Sequence, residues 1–125
     1  MQEIRHYDIA IIGSGPAGEK AAIQASKLKK RVFLIDKREK LGGASLHTGT
    51  IPSKSLRETV VNLELLRRRT HGIEISMREN VSTKELMYRK ELVISEQENK
   101  LRRNLIKNRV TLERGRCQFL SPTEL

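Results

Sequence analysis

The chain has 125 residues, with 25 Lys and Arg against 15 Asp and Glu and a formal net charge of +10. That length suits one domain and leaves no room for two full ones. Hydrophobic residues make up 37% and charged residues 32%, against about 45–50% (a figure that also counts Gly) and about 25% in ordinary globular domains. Four aromatics (Tyr7, Phe33, Tyr88, Phe119) are too few for a base-stacking platform, and the single Cys117 excludes a disulfide scaffold. No apolar run approaches the roughly 18–20 residues of a membrane span. Glu3, Arg5 and His6 near the start, with no long apolar stretch after them, do not fit a secretory signal. The composition therefore predicts a soluble, basic, cytoplasmic protein.

Residues 7–12 (Tyr-Asp-Ile-Ala-Ile-Ile) are short, mostly apolar and followed by glycine, which predicts a buried strand of the parallel-sheet kind. The run Gly13-Ser14-Gly15-Pro16-Ala17-Gly18 comes next, then a helix with Ala21, Ala22, Ala25 and Leu28 on one stripe and Lys20, Lys27 and Lys30 outside. Residues 32–36 (Val-Phe-Leu-Ile-Asp) read as a second buried strand. Residues 7–36 thus form a β-α-β unit of about 30 residues, the usual size of that motif. Residues 37–53, with Gly42, Gly43, Gly49 and Pro52, read as a loop.

Pro52 suits a first helical turn, so a helix is expected over 53–69, with Leu56, Val60, Leu63 and Leu65 or Leu66 on one side and Gly72 after its end. Ser82-Thr83-Lys84-Glu85 has the pattern of a capping box opening a second helix to about residue 107. The polar stretch 95–100 predicts a wet face on that helix. Residues 110–119 read as a further strand. Three basic clusters, Lys29-Lys30-Arg31, Arg67-Arg68-Arg69 and Arg102-Arg103, allow a nucleic-acid surface, solvated helix ends, or charge balanced by an acidic portion of a larger protein. Solvated helix ends are the preferred reading.

The glycine run sits where a dinucleotide site needs it, after a strand and before a helix. Gly13 permits the tight turn, Gly15 lets a pyrophosphate approach the backbone, and Gly18 lets the helix pack on the strand. The diphosphate then meets free N–H groups at the positive end of the helix. Asp36 ends the second strand 23 positions after Gly13, near the roughly 20 expected of an acid that binds ribose hydroxyls. This constellation does not by itself choose between NAD and FAD. His6 and His71 have no partner at metal-ligand spacing, so no metal site is expected.

The segment Leu41-Gly42-Gly43-Ala44-Ser45-Leu46-His47-Thr48-Gly49-Thr50-Ile51-Pro52-Ser53-Lys54 resembles the flavin-binding segment of the pyridine-nucleotide disulfide oxidoreductases, whose pattern is GG-x-C-x4-C-I-P-S-K. The resemblance runs in register from about Ile4 to Leu125. It implies a Rossmann-like FAD-binding fold of the glutathione-reductase kind, α/β with a parallel sheet and flanking helices, of which residues 1–125 are the N-terminal portion.

Ser45 and Thr50 stand at the positions of the family's two redox cysteines. Hydroxyls cannot form a disulfide, so dithiol exchange is not expected there. The string from His47 to Lys54 resembles the branch of soluble, Si-specific NAD(P)+ transhydrogenases, in which Thr also takes the second cysteine position. What that branch implies is hydride transfer between NADPH and NAD through FAD, in a homodimer or higher oligomer.

By the same resemblance Gly13, Gly15 and Gly18, with Pro16 and Ala17, would hold the FAD pyrophosphate. Asp36 would bind the adenosine ribose, one methylene shorter than the usual Glu, with Lys37 beside the adenosine. Gly42, Gly43, Ala44, Ser45, Gly49 and Thr50 would line the pyrophosphate and ribityl chain. Lys54 would lie near flavin N5, where a cation favours reduced, anionic flavin. The backbone near Cys117 would pass the adenine, and His47 would shape the loop. NAD(P)(H) would be bound by parts outside this chain, which reads as the N-terminal part of a longer flavoenzyme and is expected to be inactive alone. Two alternatives stay open: part of a dihydrolipoamide dehydrogenase-like or mercuric reductase-like flavoprotein that lost its cysteines, and a basic nucleotide- or nucleic-acid-binding module without activity.

Overall fold

A computed structural model describes residues 4–68 and 81–125. In chain order the elements are β1 (Ile9–Ile12), α1 (Pro16–Lys27), β2 (Val32–Asp36), α2 (Gly43–His47), α3 (Thr50–Arg68), α4 (Thr83–Lys107) and β3 (Thr111–Arg114). The three strands form one parallel sheet in the order β1-β2-β3. Ile9 is in register with Val32 on one side, and Phe33 with Thr111 on the other. A parallel sheet with flanking helices is the fold class that the sequence predicts.

Strand alternation sorts β2 into two faces. Val32 and Leu34 point to the side where Ala22 of α1 and Leu101 and Leu105 of α4 gather with Leu41 and Val110 in one core. Phe33 and Ile35 point to the other side and are half-buried, with the Tyr7 ring 5.1 Å from that of Phe33. Asp36 continues the helix-facing row, which brings its carboxylate to the head of α1. The ends of α1 and α4 are joined where the Ser26 hydroxyl donates to the Asn108 carbonyl.

Several elements differ from their sequence reading, each for a physical reason. β1 starts at Ile9 and is an exposed edge rather than a buried strand, with Ile9 38% and Ile12 58% exposed. A strand's own sequence shows what it is able to bury, and its neighbours decide what it does bury. On α1 the inward stripe is Ala22, Ile23 and Ala25, while Ala21 and Leu28 are exposed. The loop expected over 37–53 contains α2, and α3 begins at Thr50 rather than Ser53. Along α3, Pro52, Ser55, Leu56, Thr59 and Leu63 are buried or half-buried, whereas Val60, Leu65 and Leu66 are exposed. Arg69, His71 and Gly72 lie outside the described residues.

α4 opens with the expected capping box. The Ser82 hydroxyl accepts the Glu85 N–H at 3.3 Å, and the Glu85 carboxylate accepts the Ser82 N–H at 2.8 Å. Within the stretch 95–100 only Glu98 is half-buried and the rest is exposed, so its middle is open to water on most sides. The strand expected over 110–119 ends at Arg114, which leaves Cys117 beyond it.

Candidate dinucleotide-binding site

β1 runs out at Ile12, and the Gly13 N–H extends the pairing by donating to the Ile35 carbonyl at 2.7 Å. Gly13 then turns the chain with φ +102°, a conformation that L side chains rarely adopt. α1 starts at Pro16, whose missing N–H would have no helical partner in any case. The N–H groups of Ala17 and Gly18 follow in a first turn that lacks intrahelical acceptors, at the positive end of the helix.

The glycines here differ in what surrounds them. A Cβ on Gly18 would lie 2.0 Å from the Gly13 carbonyl oxygen, so α1 sits directly on the strand end. A Cβ on Gly15 would meet nothing within 4 Å. One on Gly43 would lie 3.0 Å from the Gly15 Cα, so the second glycine turn abuts the first. Packing therefore demands glycine at 18, a φ of +63° favours it at 43, and at 15 it leaves open space that a ligand can take.

Beside that space is a cleft of about 230 Å³ lined by Ser14, Pro16, Glu19, Lys20, Gly42, Ser45, Leu46 and Ile51, and by Gln97, Lys100, Leu101 and Asn104 of α4. It is smaller than the roughly 300–1,000 Å³ of a complete small-molecule site. Its size and its helix N-terminus fit the diphosphate portion of a dinucleotide rather than the whole. Glu19, the one acid on this wall, is paired with Lys20 at 3.4 Å. A second cleft of about 420 Å³, between the 38–40 turn, His47 and α4, mixes Arg38 and Lys40 with Glu39 and Glu91 and has no glycine wall.

Asp36 is 9% exposed and heavily engaged. Its Oδ2 accepts the Ser14 N–H at 2.8 Å and the Ser14 hydroxyl at 2.6 Å, and its Oδ1 accepts the Arg38 N–H at 2.9 Å. Desolvation works to raise its pKa. The Ser14 hydroxyl, the Arg38 and Ser14 N–H groups and the Arg38 charge outweigh it, and hold the carboxyl below the ordinary carboxylate value. Of about four acceptor positions on a carboxylate, one on Oδ1 remains for a ribose hydroxyl.

The second glycine turn is pinned from three sides. The Gly42 N–H donates to Ser14 Oγ at 3.1 Å, and the Leu41 N–H to Glu98 Oε1 of α4 at 3.1 Å. His47 Nε2 lies 2.6 Å from the Leu41 carbonyl; since a carbonyl only accepts, that nitrogen carries the proton. His47 thus closes the turn that leads into α2. Ser45 lines the cleft with its hydroxyl 3.3 Å from the Gly42 carbonyl.

Other residues singled out in the sequence lie farther out. Ala44 and Thr50 are exposed, and Gly49 is half-buried. Lys37 is exposed just after β2. Lys54 has a 68% exposed side chain 3.8 Å from Glu58, one turn along α3, and is not part of the cleft wall. Cys117 is half-buried, two residues past Gly115, whose N–H donates to the Asp36 carbonyl at 2.9 Å. Among the described residues no group of three or more His, Cys, Asp or Glu is placed to hold a metal ion, and no helix is long and apolar enough to cross a membrane.

Sequence reasoning overlooked Ser14, Glu98 and the cleft-lining residues of α4. Residue 14 is a variable position of the glycine pattern, and Glu98 reaches the turn across 57 residues of sequence, where no local signal could show it.

The sequence pattern of the family described as pyridine nucleotide-disulphide oxidoreductase matches residues 7–124. A soluble pyridine nucleotide transhydrogenase of Mycobacterium bovis (strain BCG / Pasteur 1173P2) is 40% identical over 120 residues, covering 95% of this chain and 26% of that protein. One from Hahella chejuensis is 38% identical over 125 residues, covering all of this chain and 27% of the other. The HOCl-induced flavoprotein disulfide reductase of Escherichia coli, solved as a Cu(II) complex, shares the fold with a TM-score of 0.74 at 24% identity, over 94% of this chain and 23% of that one. The chain thus spans about a quarter of the length of the curated relatives it matches.

Proposed function

The chain belongs to the pyridine nucleotide-disulphide oxidoreductase family, and on that premise we propose that it is the FAD-binding segment of an NAD(P)+ transhydrogenase-like oxidoreductase. The observation that carries this reading is the open space at Gly15 beside the N-terminus of α1. A diphosphate there would accept from the Ala17 and Gly18 N–H groups at the positive end of the helix. Asp36 Oδ1 would accept from an adenosine ribose hydroxyl. Ser45 would meet the ligand from the opposite wall, and the backbone around Cys117 would pass the adenine.

Bound FAD would supply reversible hydride uptake between NADPH and NAD, with the nicotinamide nucleotides held by parts of the protein outside this chain. Lys54 is assigned to the flavin environment. It would have to leave Glu58 to serve there, and an exposed pair of this kind holds with no more than about 1 kcal/mol. Ser45 and Thr50, at the positions of the family's paired cysteines, favour transhydrogenation over disulfide reduction, since neither can carry a thiolate. The similarity to soluble transhydrogenases over nearly the whole chain supports the same choice. A cytoplasmic homodimer or higher oligomer is the assembly that goes with this reading.

The test is turnover by the protein that carries this chain. It should reduce an NAD analogue with NADPH in the absence of thiols. Reduction of lipoamide or oxidised glutathione above the background of free flavin would contradict the proposal.

A further inference from the structure

We propose that Ser14 is a positioning residue for the bound dinucleotide, its hydroxyl fixing both the Asp36 carboxylate and the second glycine turn in the arrangement that receives the adenosine diphosphate. The inference rests on the FAD reading above and assigns a role in it to a residue outside the glycine pattern. Ser14 is 1% exposed, so its hydroxyl serves protein groups alone. It donates to Asp36 Oδ2 at 2.6 Å and accepts from the Gly42 N–H at 3.1 Å, and the Ser14 backbone N–H takes the other position on Oδ2 at 2.8 Å.

Three consequences follow. Oδ2 is saturated, so Oδ1, which among the described residues accepts from the Arg38 N–H, is the oxygen left for a ribose hydroxyl. The two glycine turns, in contact at Gly43 and Gly15, are held together by a hydrogen bond as well as by packing. The shorter reach of Asp at position 36 is also put to use, because its carboxylate stays at the sheet end, where Ser14 can meet it. Alanine at 14 would leave the buried Gly42 N–H without its acceptor, and asparagine or a protonated acid at 36 would lose the charge-assisted bond.

The experiment compares the protein that carries this chain with its Ser14→Ala and Ser14→Cys variants. FAD affinity is followed by quenching of flavin fluorescence. The ionisation of Asp36 is followed by NMR of its carboxyl carbon in the ligand-free proteins. Among the described residues the charge acting on that carboxyl is Arg38. Lys37 adjoins it on the turn after β2, Arg114 of β3 is in register with Asp36 with its partner Glu39 at 3.5 Å, and Glu19 and Lys20 stand on the cleft wall; the substitution alters none of them.

Ser14→Ala should weaken FAD at least tenfold and move the Asp36 titration to higher pH. Ser14→Cys keeps a weak donor on a somewhat larger side chain and should fall between, which also covers the case in which the alanine variant does not fold. Unchanged FAD affinity and an unmoved Asp36 titration in the folded variants would overturn the inference while leaving the FAD reading intact. So would a lower melting temperature with no loss of affinity. Failure of the parent protein to bind FAD would overturn both.

Discussion

At Gly18 the structure leaves no room for any side chain, because a Cβ would sit 2.0 Å from a backbone carbonyl oxygen. Neither α1 nor the end of β1 can give way without breaking the pairing between the Gly13 N–H and Ile35. Gly18→Ala should therefore destabilise the ligand-free chain by about 3 kcal/mol, toward the upper end of overpacking effects, and denaturant unfolding measures this directly. A variant as stable as the parent would show that α1 does not sit on the strand as described. The glycine pattern made this contact legible in the sequence, since it encodes a backbone geometry that recurs wherever a strand feeds a helix across a phosphate. Ser14 was not legible. Its importance comes from meeting Asp36, 22 residues on, and Gly42, 28 residues on, and no one-dimensional rule scores such a triangle.

At the scale of elements, the same contrast separates local from tertiary information. The capping box at Ser82 and Glu85 is a local signal, and α4 begins where it says. Ser82→Ala should cost about 1 kcal/mol and fray the first turn, seen as faster exchange of the Glu85 amide, whose N–H the hydroxyl accepts, while an unchanged exchange pattern would argue against the cap. α2 was missed because five residues, Gly43–His47, are too few to show a period. It is held by contacts from elsewhere, the Gly42 N–H to Ser14 and the Leu41 N–H to Glu98. β1 reads as a central strand from its isoleucines, but whether a strand is covered depends on what pairs and packs with it. The exposed Val60, Leu65 and Leu66 of α3 make the same point: their spacing fits a helical stripe, and the described fold covers only the neighbouring Leu56 and Leu63 in part.

At the scale of the molecule, the three parallel strands of the described residues, packed on α1 and α4 around one small cluster, give a modest core, and a ligand that binds only the folded state adds stability by mass action. The melting temperature of the chain should rise with FAD concentration, and the nucleic-acid reading of its +10 charge predicts no such dependence. The central claim is that the space at Gly15 receives a dinucleotide diphosphate, and Gly15→Val tests it most directly, because a Cβ at this position meets nothing within 4 Å in the ligand-free protein. The measurement is FAD titration of parent and variant at matched ligand-free stability, and the account predicts saturable binding by the parent and its loss in the variant. A Gly15→Val protein that melts like the parent and binds FAD as tightly would contradict it.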